Sequence, residues 1–188
     1  SSLKAAGQFR QPPEQIAEGL LGTDGSARIA ELERPASPGR AELAADESSC
    51  QGFRHVESLM MQMGEHLNWS GSDLGLHTSH RTNTVVHESG IPEEGPVLDE
   101  RVAAHWLETF RRHKLMAMVF LGPMEGTLRL QVYNDEEADM HDIRTRPGVM
   151  VLCRPDLMSH KHVALGKAIT ITSFFITGGA GGQKRQPA

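Results

Sequence analysis

The chain has 188 residues, enough for one domain with its own core, but only 38% of them are hydrophobic. A net charge of −5 argues against a nucleic-acid partner, because nucleic-acid phosphates need a basic face. No apolar run reaches the ~20 residues of a membrane-spanning helix, so we expect no membrane span. The two cysteines, Cys50 and Cys153, have no metal-binding or redox spacing and are interpreted as free thiols.

The first 49 residues are rich in proline and charge and poor in aromatic side chains. Short helical turns are expected at residues 14–21 and 28–32. A segment of this composition cannot offset the entropy of its own ordering. We therefore expect residues 1–49 to form an extended arm that binds other protein subunits. A start at Ser1 is compatible with a removed targeting segment, which leaves an organelle such as a plastid, or the cytoplasm, as the compartment.

Two stretches have the apolar spacing of amphipathic helices. The first, residues 50–67, contains a cluster of three methionines, which we interpret as core packing. The second, residues 98–114, starts at Leu98 or Asp99 and ends in basic residues, which suit the negative end of a helix dipole. Its predicted apolar face consists of Val102, Trp106, Leu107 and Phe110.

From residue 77 onwards the pattern becomes extended, and after the second helix it changes to period two or to short apolar runs. Five strands are predicted at residues 115–121, 126–133, 143–145, 149–153 and 168–177. Short turns without intervening helices favour an antiparallel sandwich or jelly roll. The predicted fold class is α+β: a jelly-roll or double-stranded β-helix core at about 76–177, two flanking helices within a domain of 50–177, the N-terminal arm, and a flexible glycine-rich tail at 178–188.

Several motifs of this half occur in the order of a known family. They are Leu115-Met-Ala-Met-Val-Phe-Leu121, Gly126-Thr-Leu-Arg-Leu130, Arg146-Pro-Gly148, Asp156, His160 and Lys167. Residues 115–176 thereby resemble the C-terminal half of 2-oxoglutarate/iron(II) dioxygenases of the prolyl-hydroxylase type. The resemblance implies that His160 is an iron ligand and that Lys167 binds the distal carboxylate of 2-oxoglutarate.

The same resemblance implies a His-x-Asp motif about ten residues before Leu115, and this motif is missing. His105-Trp-Leu107 stands there instead, and a leucine cannot bind iron. His141 and Asp142 are adjacent, so in a strand their side chains face opposite ways. The one His-x-Asp/Glu pair in the chain starts at His55, in the first helix.

Other histidines leave further arrangements open. In a strand, the rings of His160 and His162 would share one side. Jelly-roll cupins bind metal with such a pair and a following glutamate, which is lacking here. A ligand pocket without redox chemistry also remains open.

The sequence favours a non-catalytic accessory or scaffold subunit of a larger assembly, for example a photosynthetic complex, with no cofactor. Such a subunit could sit peripherally on a membrane complex. The alternative is a hydroxylase that uses Fe(II) and 2-oxoglutarate with an atypical metal site. Its ligands would be His160, one further histidine and one carboxylate, with Lys167 on the cosubstrate. The candidates for the further ligands are His77, His80, His87, Glu88 and Asp142.

Overall fold

The structure is a computed structural model that describes residues 9–32, 55–56, 58–66, 78–91, 93–133 and 139–177. Its helices are α1 (Glu14–Leu20), α2 (Gly22–Gly25), α3 (helical residues 55–56 and 58–66) and α4 (Glu100–Arg112). Its strands are β1 (Arg28–Leu32), β2 (Thr78–Arg81), β3 (Thr84–Glu88), β4 (His113–Pro123), β5 (Gly126–Val132), β6 (His141–Thr145), β7 (Met150–Cys153), β8 (Met158–Ala164) and β9 (Ala168–Thr177).

The strands form two antiparallel sheets. The larger has the order β1-β3-β9-β4-β7 with β2 also paired to β9, and the smaller has the order β6-β5-β8. Side chains from both sheets meet in one apolar cluster that includes Met118, Phe174 and Leu128. The predicted jelly-roll core is confirmed, and each of the five predicted strands corresponds to a strand of the structure. A sixth core strand, β8, was missing from that prediction.

Strand register decides which side chains face the space between the sheets. Met118 of β4 lies opposite Thr172 of β9, and both face inward. On β8, His160 pairs with Leu130 and His162 pairs with Leu128, which is fully buried. The two histidines therefore share the inner face, as expected for a strand.

The two flanking helices cover different parts of the sandwich. Helix α3 places the fully buried Met60 and the partly buried Met63 against the outer face of the larger sheet, whereas Met61 is 64% exposed. The predicted core packing is therefore confirmed for Met60 and Met63 and wrong for Met61. Helix α4 is capped by Asp99, whose carboxylate accepts a hydrogen bond from the Val102 N–H at 2.7 Å. Trp106 is buried in the inner core, whereas Leu107 is 63% exposed. The prediction that Leu107 belongs to the buried face is wrong, because the buried face repeats every fourth residue from Val102.

The N-terminal segment differs from the expected extension. The predicted helical turn at residues 14–21 is confirmed by α1, but residues 28–32 form a strand that pairs with β3. Leu20 and Ile29 are buried in the core of the same chain. Composition misled us because a segment without a core of its own can still complete the core of the rest of the chain. Residues 1–8 and 33–49 lie outside the described residues, so a partner-binding arm stays a prediction.

Other expectations also fall outside the described residues. They concern Cys50, the start of the first helix, His77 and the tail at 178–188. Cys153 is buried in β7, and burial raises the pKa of its thiol to about 12, which keeps it unreactive. Within the described ranges, no helix has the length and apolarity to cross a membrane.

Candidate functional site

His160 lies on β8 with its ring against the N-terminal segment. Its Nε2 atom is 2.6 Å from the carbonyl oxygen of Leu20, at the end of α1. A carbonyl oxygen only accepts, so Nε2 carries the hydrogen and donates it. Burial lowers the pKa of His160, and the carbonyls of Leu20 and Met158 partly oppose that shift. The imidazole is therefore neutral at neutral pH, and its Nε2–H group is already donated to the Leu20 carbonyl.

His162 is deeper in the sandwich and is 1% exposed. Its Nε2 lies 3.0 Å from Thr145 Oγ1, and its ring centroid is 4.8 Å from that of Phe120. Among the residues that the structure describes, its buried Nδ1 has no hydrogen-bond partner. Burial lowers its pKa to about 4. The ring is thus a neutral group in the core.

His87 reaches the same interior from β3. One ring nitrogen lies 3.0 Å from Ser26 Oγ and the other lies 2.8 Å from Thr172 Oγ1. Burial, and secondarily the nearby His162, lowers its pKa to about 3. Two hydroxyl groups therefore engage both nitrogens of a neutral imidazole.

The carboxylates of Asp156 and Asp142 form hydrogen bonds with basic side chains. Asp156, in the turn before β8, accepts two hydrogen bonds from Arg154 and one from Lys114, all at 2.8 Å. These cations hold the pKa of Asp156 far below its usual range. Asp142 lies on the opposite face of its sheet from His160 and bonds to Arg129 at 3.0 Å.

The remaining members of the alternative ligand set are also apart. Glu88 follows His87 in β3, so the two side chains face opposite sides of the sheet. His80 is exposed on β2. Outside that set, His105, at the position of the missing His-x-Asp motif, is in helix α4, where its Nε2 lies 2.7 Å from Glu31. The structure therefore does not bring the described candidates of that set together.

Lys167 is exposed in the turn between β8 and β9. Inward positions of β9 are even-numbered, as Thr170 and Thr172 show by their pairing with inward residues of β4. Lys167 precedes β9, so this alternation does not extend to it; its exposure distinguishes it from the buried inward positions. A role in cosubstrate binding stays a prediction that this position does not favour.

An iron–2-oxoglutarate centre does not fit the residues in this part of the chain. Such a centre needs two histidines and one carboxylate that bind the same iron ion and leave other coordination positions open. In the described ranges, no group of three or more His, Cys, Asp or Glu side chains could hold a metal ion. His160 occupies the position expected from the motif, but its Nε2–H group donates a hydrogen bond to the backbone carbonyl of Leu20.

A cleft of about 630 Å³ opens beside His160 at the end of the sandwich. Its walls include His113, which is 8% exposed and stacks on Phe174 with ring centroids 5.4 Å apart. Burial, together with the neighbouring His160, lowers the pKa of His113 to about 4. Sequence reasoning treated His113 as a cation at a helix end and missed it as a buried neutral group. The change from a helical to an extended pattern at this residue was the signal in the sequence that could have identified it as buried.

Comparisons with known proteins agree with this arrangement of strands. No family model matches the sequence, and no curated protein matches it either. A prolyl-4-hydroxylase from Pseudomonas putida superposes with a TM-score of 0.57 at 18% identity, over 93% of this chain and 81% of that one. This chain is similar in fold to that prolyl hydroxylase. At this identity the likeness concerns the fold alone, and for the fold it confirms the resemblance seen in the motifs.

A second solved structure gives the same result. It is a prolyl hydroxylase from Trichoplax adhaerens in complex with a hypoxia inducible factor oxygen degradation domain peptide fragment. Its TM-score is 0.56 at 15% identity, over 93% of this chain and 73% of that one. The alignment thus covers most of both chains.

Proposed function

We propose that this chain is a non-catalytic protein with a prolyl-hydroxylase fold that serves as a subunit of a larger assembly. The observation that carries the proposal is the 2.6 Å hydrogen bond from His160 Nε2 to the carbonyl of Leu20. By motif position, His160 is the distal ligand expected from the resemblance. In this structure, His160 instead donates a hydrogen bond to Leu20, the last residue of helix α1.

Recruiting His160 to a metal would have an energetic cost. Breaking the bond would leave the Leu20 carbonyl, in a residue that is 0% exposed, without this donor. An unsatisfied buried polar group costs about 1–3 kcal/mol. Metal binding could offset that cost only if further ligands were present. The carboxylate of Asp156 is already paired with Lys114 and Arg154.

The assembly role is supported by aliphatic side chains in neighbouring turns. Ile91 is 92% exposed and Leu165 is 78% exposed. Their turns are tied together, because the Ser89 hydroxyl donates to the Gly166 carbonyl at 2.9 Å. Exposed aliphatic side chains lose their contact with water when a partner covers them, so these two positions are the candidates for a protein contact.

The state of the His160 ring provides a direct test. We expect two-bond ¹H–¹⁵N spectra at pH 7.5 to show a neutral ring protonated at Nε2. Cobalt(II), a paramagnetic substitute for iron(II), should leave its signals in place, with or without 2-oxoglutarate. His160→Gln assigns the resonances, and the exposed His66 serves as the internal reference for nonspecific cobalt binding. Selective broadening or a paramagnetic shift of His160 at stoichiometric cobalt would contradict the proposal.

A further inference from the structure

Strand β7 forms one edge of the larger sheet. It pairs with β4 on one side, and among the described residues no strand pairs with its other side. The Phe120 N–H donates to the Val149 carbonyl at 3.0 Å, and Val151 also faces β4 in this register. Successive residues of a strand direct their backbone groups to alternate sides, so the N–H and C=O groups of Met150 and Leu152 point away from the sheet.

The side chains of these two outward residues are apolar and exposed. Met150 is 37% exposed and Leu152 is 42% exposed, on the outer face of the sheet. Their β4 neighbours on that face, Val119 and Ala117, are buried. On the inner face, Val151 packs against the core but is only partly buried. The β7 edge therefore combines unpaired backbone groups with apolar surface, and both leave water when another strand pairs with it.

Three other edges of the sandwich are covered or charged, as is usual in natural sheets. Strand β1 forms a bridge with Arg10, and β8 donates a backbone hydrogen bond to the Leu21 carbonyl. Strand β6 carries Asp142 and Arg144, each in an ion pair. By contrast, residues 147–153, which include all of β7, contain no charged side chain. This edge lacks the charges that usually prevent sheets from joining.

The edge of β7 is complementary to itself. In an antiparallel pair with a two-fold axis at Val151, Met150 lies opposite Leu152 of the second copy, and Leu152 lies opposite Met150. The outward groups of these residues then form four backbone hydrogen bonds, and their side chains form two apolar cross-strand pairs on one face. A two-fold axis satisfies both edges at once, because each copy presents the same surface.

The charges at both ends of the strand allow two copies to approach. Arg154 forms an ion pair with Asp156 at 2.8 Å, and Arg146 lies 4.0 Å from Glu125. Each arginine therefore has a carboxylate of its own chain beside it. A second copy thus brings an uncharged strand with paired charges at its ends. A partner with a charged edge would lose the hydration of its charges against apolar side chains.

We propose that two copies of this chain associate through β7, antiparallel about Val151, so that their larger sheets join into one continuous sheet. The paired strands are short and form a small interface, so the dimer dissociates on dilution. Such a dimer goes beyond the proposed function and forms whether or not the chain is catalytic.

Sedimentation velocity on the whole chain tests the dimer. Protein is compared from about 1 to about 100 µM, because a dimer equilibrium depends on concentration. We expect the mass to rise towards twice the 20.6 kDa of one chain. Leu152→Lys places a charge on the paired edge, so it should raise the dissociation constant roughly tenfold or more. Leu107→Lys, the same substitution at a 63% exposed position of α4, should dimerise as the wild type does.

Cysteine cross-linking tests the register. The two Val151 Cα atoms would be about 4.5 Å apart, a distance that a disulfide spans. With Cys50→Ser as background, Val151→Cys should give a covalent dimer under mild oxidation, since the remaining Cys153 is buried. Met150→Cys in the same background should not, because the two copies of residue 150 are diagonal neighbours, at least about 7 Å apart.

Three results would overturn the proposal. The first is a wild-type protein that stays monomeric at the highest concentration. The second is a folded Leu152→Lys variant, checked by circular dichroism, that dimerises as strongly as the wild type. The third is cross-linking of Met150→Cys as readily as Val151→Cys. Should Leu152→Lys fail to fold, the wild-type mass and the cysteine pair decide.

Discussion

Among single residues, the buried imidazoles are paired with hydroxyl and carbonyl groups. Thr145 binds His162, and Ser26 and Thr172 bind His87. None of these partners carries a negative charge that would stabilise imidazolium. Burial therefore dominates, and the rings stay neutral at neutral pH.

Acid should destabilise this protein through those rings. The folded-state pKa values of His87, His113 and His162 are about 3, 4 and 4, below the ordinary 6.5 of the unfolded chain. Between about pH 6.5 and 4 the unfolded state binds more protons, so the free energy of unfolding falls as the pH falls. Each ring contributes up to about 1.4 kcal/mol per pH unit.

Urea unfolding at pH 7, 6 and 5 measures this effect. His162→Gln retains a polar group near Thr145 and removes one titrating ring, so its free energy of unfolding should fall less steeply than that of the wild type. His66→Gln should keep the wild-type slope. Parallel pH profiles for wild type and His162→Gln would show that His162 is not a buried neutral ring.

Among elements, the N-terminal segment shows what the sequence could not predict. The alternation of Leu128 and Leu130 revealed β5 directly. Strand β8 was hidden because its inward positions include His160 and His162 in place of aliphatic residues. Strand β1 was hidden because its pairing with β3 is a long-range contact with no local signal. The missing His-x-Asp was visible in the sequence, whereas the bond from His160 to Leu20 was not, since it joins residues 140 positions apart.

Helix α1 should prove to be part of the folded domain. Leu20 is 0% exposed, so Leu20→Ala should lower the free energy of unfolding by about 2–5 kcal/mol. Gln15→Ala, on the exposed side of the same helix, should change it by about 0.5 kcal/mol or less. Urea denaturation at pH 7.5 compares the two. Equal, negligible effects would restore the interpretation of residues 9–32 as an arm.

At the scale of the whole molecule, the fold and the candidate metal site have to be considered separately. The chain aligns in structure with two prolyl hydroxylases over 93% of its length. Between the two sheets, the pairs His87–Thr172 and His162–Thr145 lie among apolar side chains. Function resides in sites rather than in folds, so the shared architecture alone does not carry the oxygenase reaction.

Anaerobic titration with Fe(II) and 2-oxoglutarate tests this account most directly. The absorbance to follow is the charge-transfer band of an iron–2-oxoglutarate complex, with a known prolyl hydroxylase as the positive control. We expect no band from this protein, and no difference between wild type and His160→Ala. A band that saturates at one iron per chain and disappears in His160→Ala would contradict the account and identify the chain as an enzyme with an atypical metal site.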